Sequence, residues 1–192
     1  WACGYDQFGN LFSETDPLGR TTVVQTHGFI GVPEFETDAA GNTWRYGYDE
    51  HANNTVIQDP EGNLAYFYYD PKGRLVKSVD ALGKVNTMRW DERSLLREHV
   101  DCSGKRTFFE WDRWGYLAAV TDASGATVQY LNDARGNILK TTLPDGRELL
   151  YQRDRAGQLV EFMDAAGNTT TYQRNIVGDV MQRQDAAGRK VG

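Results

Sequence analysis

Acidic side chains recur at regular intervals along this chain, and they are the groups best suited to chemistry. Asp112 and Asp122 stand ten residues apart, and paired carboxylates can divide the roles of acid and base in catalysis. Carboxylate oxygens are also preferred ligands of calcium. The recurring aspartates therefore raise two hypotheses, an acid–base site and a row of calcium sites.

The unit that contains each aspartate, Asp-x-x-Gly, gives the carboxylate another role. Asp at the first position of a type I turn accepts backbone N–H bonds, and Gly at the fourth supplies a positive φ. Pro follows Asp16, Asp59 and Asp70, where its fixed φ suits the same turn. A periodic row of turn aspartates gives no reason for two of them to titrate differently, and it lacks the dense oxygen spacing of calcium loops. We therefore predict turns, with no catalytic residue, metal site or cofactor.

The remaining reactive side chains do not form a motif. Cys3 and Cys102 fall in different repeats without a second ligand at metal spacing. His27, His51 and His99 are scattered along the chain. We therefore expect no enzyme activity.

The Asp-x-x-Gly units form an internal repeat of 21 residues that contains two turns, ten residues apart. The predicted first turns cover 6–9, 28–31, 49–52, 70–73, 91–94, 112–115, 133–136, 154–157 and 175–178. The predicted second turns cover 16–19, 38–41, 59–62, 80–83, 101–104, 122–125, 143–146, 164–167 and 185–188. The structural turn residues that we single out are Asp16, Gly19, Asp38, Gly41, Asp59, Gly62, Asp70, Gly73, Asp80, Gly83, Asp112, Gly115, Asp122, Gly125, Asp164 and Gly167. Each turn is expected to join two antiparallel strands in a hairpin.

Two irregularities interrupt this pattern. Ala52 and Ser94 replace the Gly of their turns, so these turns either hold a residue at strained positive φ or adopt another type, with Asn53 or Asn54 left-handed after His51. The spacing from the second turn at 16–19 to the next is 22 residues. We expect a β-bulge between 20 and 27 to absorb the extra residue.

Apolar residues recur at fixed positions between the turns and predict two columns on the strands. The long-strand column contains Tyr46, Phe67, Met88, Phe109, Tyr130, Tyr151 and Tyr172, and the short-strand column contains Leu75, Leu96, Leu117, Ile138 and Leu159. Residues two positions further along the long strand share its face, because side chains alternate in a strand. That position holds Tyr48, Tyr69, Trp90 and Trp111 but later Asn132 and Arg153, which we interpret as a column that becomes uneven toward the C-terminal end.

These patterns predict an all-β repeat architecture in which consecutive antiparallel β-hairpins form a long curved, spiralling sheet. Residues 1–192 are expected to form one continuous array of about nine 21-residue repeats. The repeat is already under way at Tyr5 and continues to Gly188, so we expect the chain to be a piece of a larger protein. No apolar run approaches the length of a membrane helix. The formal net charge of −6 comes largely from turn aspartates, and nucleic acid is not an expected partner.

The motif Tyr-Asp-x-x-Gly-Arg-Leu, followed by Asp-x-x-Gly, resembles the YD repeat of the Rhs proteins. Tyr69, Asp70, Gly73, Arg74 and Leu75 give the best single match. Wall-associated proteins, teneurins and the C components of Tc toxins share this repeat. Repetition across 5–188, rather than any one copy, makes the resemblance specific.

The resemblance implies a structural role: a segment of a shell that encloses a toxin or effector for delivery by a bacterial secretion system, often type VI or Tc-type. Implied partners are the remainder of the shell, the enclosed toxin or effector segment and spike proteins of the secretion apparatus. The protein would be cytoplasmic before export and then secreted or delivered. The columns fit either a cavity lining or a seam between neighbouring coils, so the face that lines a cavity stays open.

The alternative function is carbohydrate or cell-surface binding, since exposed aromatic rings stack on sugars. Trp114 is the candidate sugar contact, because it lies inside a predicted turn.

Overall fold

The computed structural model describes residues 1–27 and 31–191, and within these residues the chain is built from strands without a helix. It accordingly has no described helix that could cross a membrane. The strands are β1 (Ala2–Tyr5), β2 (Leu11–Thr15), β3 (Thr21–His27), β4 (Val32–Thr37), β5 (Thr43–Tyr48), β6 (Asn54–Gln58), β7 (Leu64–Tyr69), β8 (Leu75–Val79), β9 (Val85–Trp90), β10 (Leu96–Val100), β11 (Arg106–Trp111), β12 (Leu117–Thr121), β13 (Thr127–Asn132), β14 (Ile138–Thr142), β15 (Glu148–Arg153), β16 (Leu159–Met163), β17 (Thr169–Arg174), β18 (Val180–Gln184) and β19 (Lys190–Val191).

The chain divides into two compact units, Trp1–Arg89 with Val100–Ser103, and Trp90–His99 with Gly104–Gly192. In the first unit each strand from β1 to β9 pairs antiparallel with the next along the chain. In the second unit the same holds from β11 to β19. The predicted all-β fold of consecutive antiparallel hairpins is confirmed.

Two backbone hydrogen bonds close each of sixteen turns within residues 1–27 and 31–191. At the first turn of 70–73, the Gly73 N–H donates to the Asp70 carbonyl at 2.9 Å, and the Asp70 N–H donates to the Arg74 carbonyl at 2.9 Å. Gly73 has a φ of 73°, as expected for a type I turn followed by a left-handed residue. The turn predicted at 28–31 lies outside the described residues except for Gly31, whose φ is 69°.

A β-bulge recurs in the hairpins that the first turns close. In β7–β8, Tyr69 pairs with Leu75 but Tyr68 pairs with Lys77, so Val76 has no partner across the ladder. The same register shift occurs in β1–β2, β3–β4, β5–β6, β11–β12, β13–β14, β15–β16 and β17–β18. Pairs joined by second turns, such as β6–β7, have a continuous register. The bulge therefore distinguishes the two hairpin types.

The register of β3 against β4 bears on the bulge expected between 20 and 27. Strand β3 has seven residues, and His27 adds a pair with Val32 beyond the Thr26–Pro33 pair. The register shift between Gln25 and Thr26 is the one that hairpins of this type share. The register shift lies within the span where a bulge was expected, 20–27, but the residue that it leaves unpaired across the ladder is Glu34 on β4.

The two turns without Gly keep the same geometry. Ala52 has a φ of 62° and Ser94 a φ of 64°, and their N–H groups donate to the carbonyls of Asp49 and Asp91. The left-handed residue is therefore Ala52 itself, and the alternative at Asn53 or Asn54 was wrong.

Replacing these residues by glycine should stabilise the chain. We expect Ala52→Gly and Ser94→Gly each to raise the free energy of unfolding by about 0.5–1 kcal/mol, since Gly adopts positive φ without steric cost. Urea denaturation measures the change. The control is Ala123→Gly in a turn whose left-handed position is already Gly125; that change should be neutral or destabilising, and equal gains at all three sites would refute the argument.

The column residues share one face of the strands, and within each unit no described strand packs over that face as a second layer. In β7, Phe67 and Tyr69 are half-buried, whereas Leu64, Tyr66 and Tyr68 on the other face are exposed. The same alternation recurs in β11, β13 and β17. Among the described residues the most buried are Thr141, Ala119 and Glu98, at 6–7% exposure.

Candidate functional site

Each turn aspartate is engaged by its own loop. The Asp70 Oδ1 accepts the N–H groups of Lys72 at 2.9 Å and Arg74 at 3.1 Å, and its Oδ2 accepts the Arg74 Nε at 2.7 Å. At Asp38 the Asn42 side-chain amide takes the place of the guanidinium, at 2.8 Å from Oδ2. The carboxylates therefore serve as turn acceptors.

These bonds favour the ionised form of the carboxylates. The side-chain hydrogen bond from Arg74 lowers the pKa of Asp70, and that from Asn42 lowers the pKa of Asp38. The pKa of Asp122 is lowered chiefly by the Ser124 hydroxyl, which donates at 2.6 Å. Asp112 and Asp122 lie in turns at opposite ends of β12. The structure does not bring this proposed acid–base pair together.

The other reactive side chains are equally separate. Cys3 and Cys102 are free and exposed. Within residues 1–27 and 31–191, His, Cys, Asp and Glu form no group of three or more that could hold a metal ion.

Neighbouring first turns contact one another along one edge of each unit. The Arg93 guanidinium donates to the carbonyls of Asp112 and Arg113 at 3.1 Å each, and Arg135 donates to the Arg155 carbonyl at 3.0 Å. Where the following first turn contains a Gly, the residue after one first turn also covers that Gly. A Cβ added to Gly136 would lie 2.4 Å from Tyr116 Cε1.

The second turns along the opposite edge stand apart. A Cβ added to Gly83, Gly125 or Gly146 would meet nothing within 4 Å. A groove of about 450 Å³ separates the turns at 38–41 and 59–62 and is lined by Arg45 and Gln58, among others. The predicted turn residues therefore occupy two edges with different packing.

One position on the column face bonds consecutive hairpins to each other. The Tyr69 hydroxyl donates to the Asn54 carbonyl, fifteen residues earlier, at 2.9 Å. Equivalent bonds run from Tyr48 to Pro33, Trp111 to Leu96, Asn132 to Leu117, Arg153 to Ile138 and Arg174 to Leu159. We call Tyr48, Tyr69, Trp111, Asn132, Arg153 and Arg174 the bridging residues.

Asn132 and Arg153 were interpreted above as a sign that the apolar column becomes uneven toward the C-terminal end. The bridging bonds correct that interpretation. The shared property is a side-chain donor that reaches one carbonyl, which hydroxyl, indole, amide and guanidinium groups all provide. Sequence reasoning missed it because it grouped residues by hydrophobicity.

Trp114 lies in the first turn at 112–115 with 59% of its surface exposed. The Arg113 guanidinium stacks over its ring, 4.5 Å from the centroid. One face of the candidate sugar contact is thus occupied by a neighbouring side chain.

Comparison with known families agrees with this repeat geometry. Residues 90–127, 133–163 and 153–190 match the RHS repeat family, which covers half of the chain. The chain belongs to the RHS repeat family.

Curated relatives of this RHS-repeat chain include one protein named as a probable deoxyribonuclease and one named as a toxin. It is 34% identical over 74 residues to "Probable deoxyribonuclease RhsB" of Dickeya dadantii (strain 3937), a match that covers 38% of the chain and 5% of that protein. It is 31% identical over 89 residues to "Toxin protein Tse5" of Pseudomonas aeruginosa, which covers 35% of the chain and 7% of that protein. The chain thus matches a small part of these relatives.

Solved structures share the fold of the RHS-repeat chain at low identity. The crystal structure of TcdB2-TccC3-TEV matches with a TM-score of 0.74 and 13% identity, over 95% of this chain and 12% of that one. The crystal structure of TcdB2-TccC3-Cdc42 matches with a TM-score of 0.58 and 13% identity, over 95% of this chain and 14% of that one.

Proposed function

We propose that this chain is a wall segment of an RHS-repeat shell that encloses a toxin or effector segment for delivery by a bacterial secretion system. The observation that carries the proposal is the single-layer construction of an RHS-repeat chain. Within each unit the strands with extensive contact are consecutive in sequence. Both faces of the strands therefore remain available to other parts of a larger assembly.

The column face supports this role. A row of half-buried aromatic and aliphatic side chains without a second layer is apolar surface that a soluble protein must cover. The partners in this proposal are the remainder of the shell, the enclosed segment and spike proteins of the secretion apparatus, with type VI secretion as one route. The protein is made in the cytoplasm and then exported.

The segment itself carries no catalysis in this proposal. The turn aspartates are committed to their own loops, as Asp70 is to Lys72 and Arg74. In this proposal the activity in the name of RhsB belongs to a part of that protein outside the 5% that this chain matches.

Electron cryomicroscopy of the complete gene product tests the proposal. We expect residues 1–192 to form part of a wall around a cavity that contains density for another segment of the same protein. Limited trypsin digestion of that product should leave the enclosed segment intact, whereas the separately expressed segment should be digested. A product in which these residues surround no cavity, or in which both forms are cleaved equally fast, would refute the shell.

Carbohydrate binding at Trp114 is the second candidate, favoured by the exposed ring at a turn. A glycan array with the wild-type chain and Trp114→Ala tests it. A signal that the substitution abolishes would support sugar binding, and wild-type binding at background would remove it.

A further inference from the structure

The bridging bonds occur where the backbone ladder between consecutive hairpins ends. The register of β6 against β7 runs over Val56–Tyr66, Ile57–Ala65 and Gln58–Leu64. Asn54 and Tyr69 lie beyond it, on the side of the first turns. The same three-pair register joins β12 to β13, β14 to β15 and β16 to β17.

The recurring bulge explains why a carbonyl is available at that place. In β12 the bulged residue is Ala118, between Leu117 and the first residue of the three-pair register, Ala119. An extra residue in one strand disrupts the ladder locally. The Leu117 carbonyl accepts a hydrogen bond from the Asn132 side-chain amide of the next hairpin at 2.8 Å. This bond gives the carbonyl a hydrogen-bond partner at the place where the ladder is interrupted.

Arginine at the bridging position makes a second bond. Arg174 donates through Nε to Leu159 at 3.0 Å and through Nη1 to the carbonyl of its own first-turn Gly178 at 2.8 Å. Arg153 does the same with Ile138 at 3.5 Å and Gly157 at 3.1 Å.

We infer that the bridging position is a conformational latch between consecutive hairpins. Its donor holds the first-turn side of one hairpin to the next, while the backbone ladder next to the second turn acts as a hinge. Loss of the donor lets the two hairpins part on the first-turn side only. The inference does not depend on the proposed shell function.

Hydrogen–deuterium exchange on the full chain with two substitutions of Tyr69 tests the latch. Tyr69→Phe keeps the ring but removes the donor, so amides in 54–56 and 67–69 should exchange about fivefold faster. In Tyr69→Arg the same amides should exchange close to the wild-type rate, because Arg153 and Arg174 make the bridging bond in later repeats. Amides in 57–64, beside the hinge, should be unaffected.

The matched control is Tyr68→Phe, which removes a hydroxyl from the exposed face of the same strand and should leave exchange unchanged. If the position acted through apolar packing alone, Phe would protect the amides better than Arg. That order, or wild-type exchange in Tyr69→Phe, would overturn the latch. If the Tyr69 variants fail to fold by circular dichroism, Asn132→Leu and Asn132→Arg give the same comparison at the Leu117 carbonyl.

Discussion

Gly136→Ala should lower the free energy of unfolding by about 3 kcal/mol, more than the same change in a second turn. Gly136 has a φ of 83°, and an L-residue there costs roughly 1–2 kcal/mol. The added Cβ would also lie 2.4 Å from Tyr116 Cε1, and overpacking of this kind adds about 1–3 kcal/mol. Urea denaturation followed by tryptophan fluorescence measures the loss.

Gly146→Ala is the matched control, because Gly146 has the same φ of 83° with nothing within 4 Å of an added Cβ. It should show the backbone cost alone. Asn137 follows the Gly of its first turn, as Tyr116 does, and its Nδ2 lies 3.5 Å from a Cβ added to Gly157. In a Tyr116→Asn background, the cost of Gly136→Ala should therefore fall to that of Gly146→Ala. Equal losses at Gly136 and Gly146 in the wild-type background would show that the first turns do not pack on each other.

The strands and hairpins could be predicted from sequence because each turn is held by bonds within five consecutive residues. Asp70, for example, accepts from Lys72 and Arg74, and this pattern does not depend on the rest of the fold. Alternation between the turns then places Phe67 and Tyr69 on one face. Local chemistry and strand period were enough for both features.

The bulges and the bridging bonds could not be predicted, since neither has a constant residue type. The bulged residues Thr55, Val76 and Ala118 differ in size and polarity. Tyr69 and Arg174 share only a donor that reaches a carbonyl fifteen residues earlier. Such contacts depend on how one hairpin lies against the next, and hydrophobic periodicity does not report that geometry.

The chain should lose stability cooperatively as the pH falls below about 4. The hydrogen bonds of the turns lower the pKa of Asp6, Asp16, Asp38, Asp49, Asp59, Asp70, Asp91, Asp122, Asp133, Asp145, Asp164 and Asp185 below the ordinary value of 3.8. A carboxyl whose pKa is lower in the folded state contributes stability above its unfolded pKa. That contribution disappears as the pH falls through the folded pKa. Melting temperatures between pH 7 and pH 2 should be flat at first and then fall steeply.

Substitution of one turn aspartate separates the contribution of its carboxylate to stability from the other effects of acid on the chain. Asp38→Asn should lower the melting temperature at pH 7, because a neutral amide oxygen accepts the N–H groups of Ala40 and Asn42 more weakly than the ionised carboxylate does. The difference from wild type should shrink as the pH falls through the lowered pKa of Asp38, because the wild-type side chain then becomes neutral as well.

The double substitution Asp38→Asn with Asn42→Asp should recover stability at pH 7, because the chain already contains this arrangement. Asn175 begins a first turn, its Oδ1 accepts the N–H of Asp179 at 2.9 Å, and its Nδ2 donates to Asp179 Oδ2 at 3.0 Å. The turn therefore needs one oxygen at its first residue and one hydrogen bond across the loop that involves a carboxylate, whichever of the two residues carries the charge. A double variant no more stable than Asp38→Asn would mean that the charge must stand at the first position.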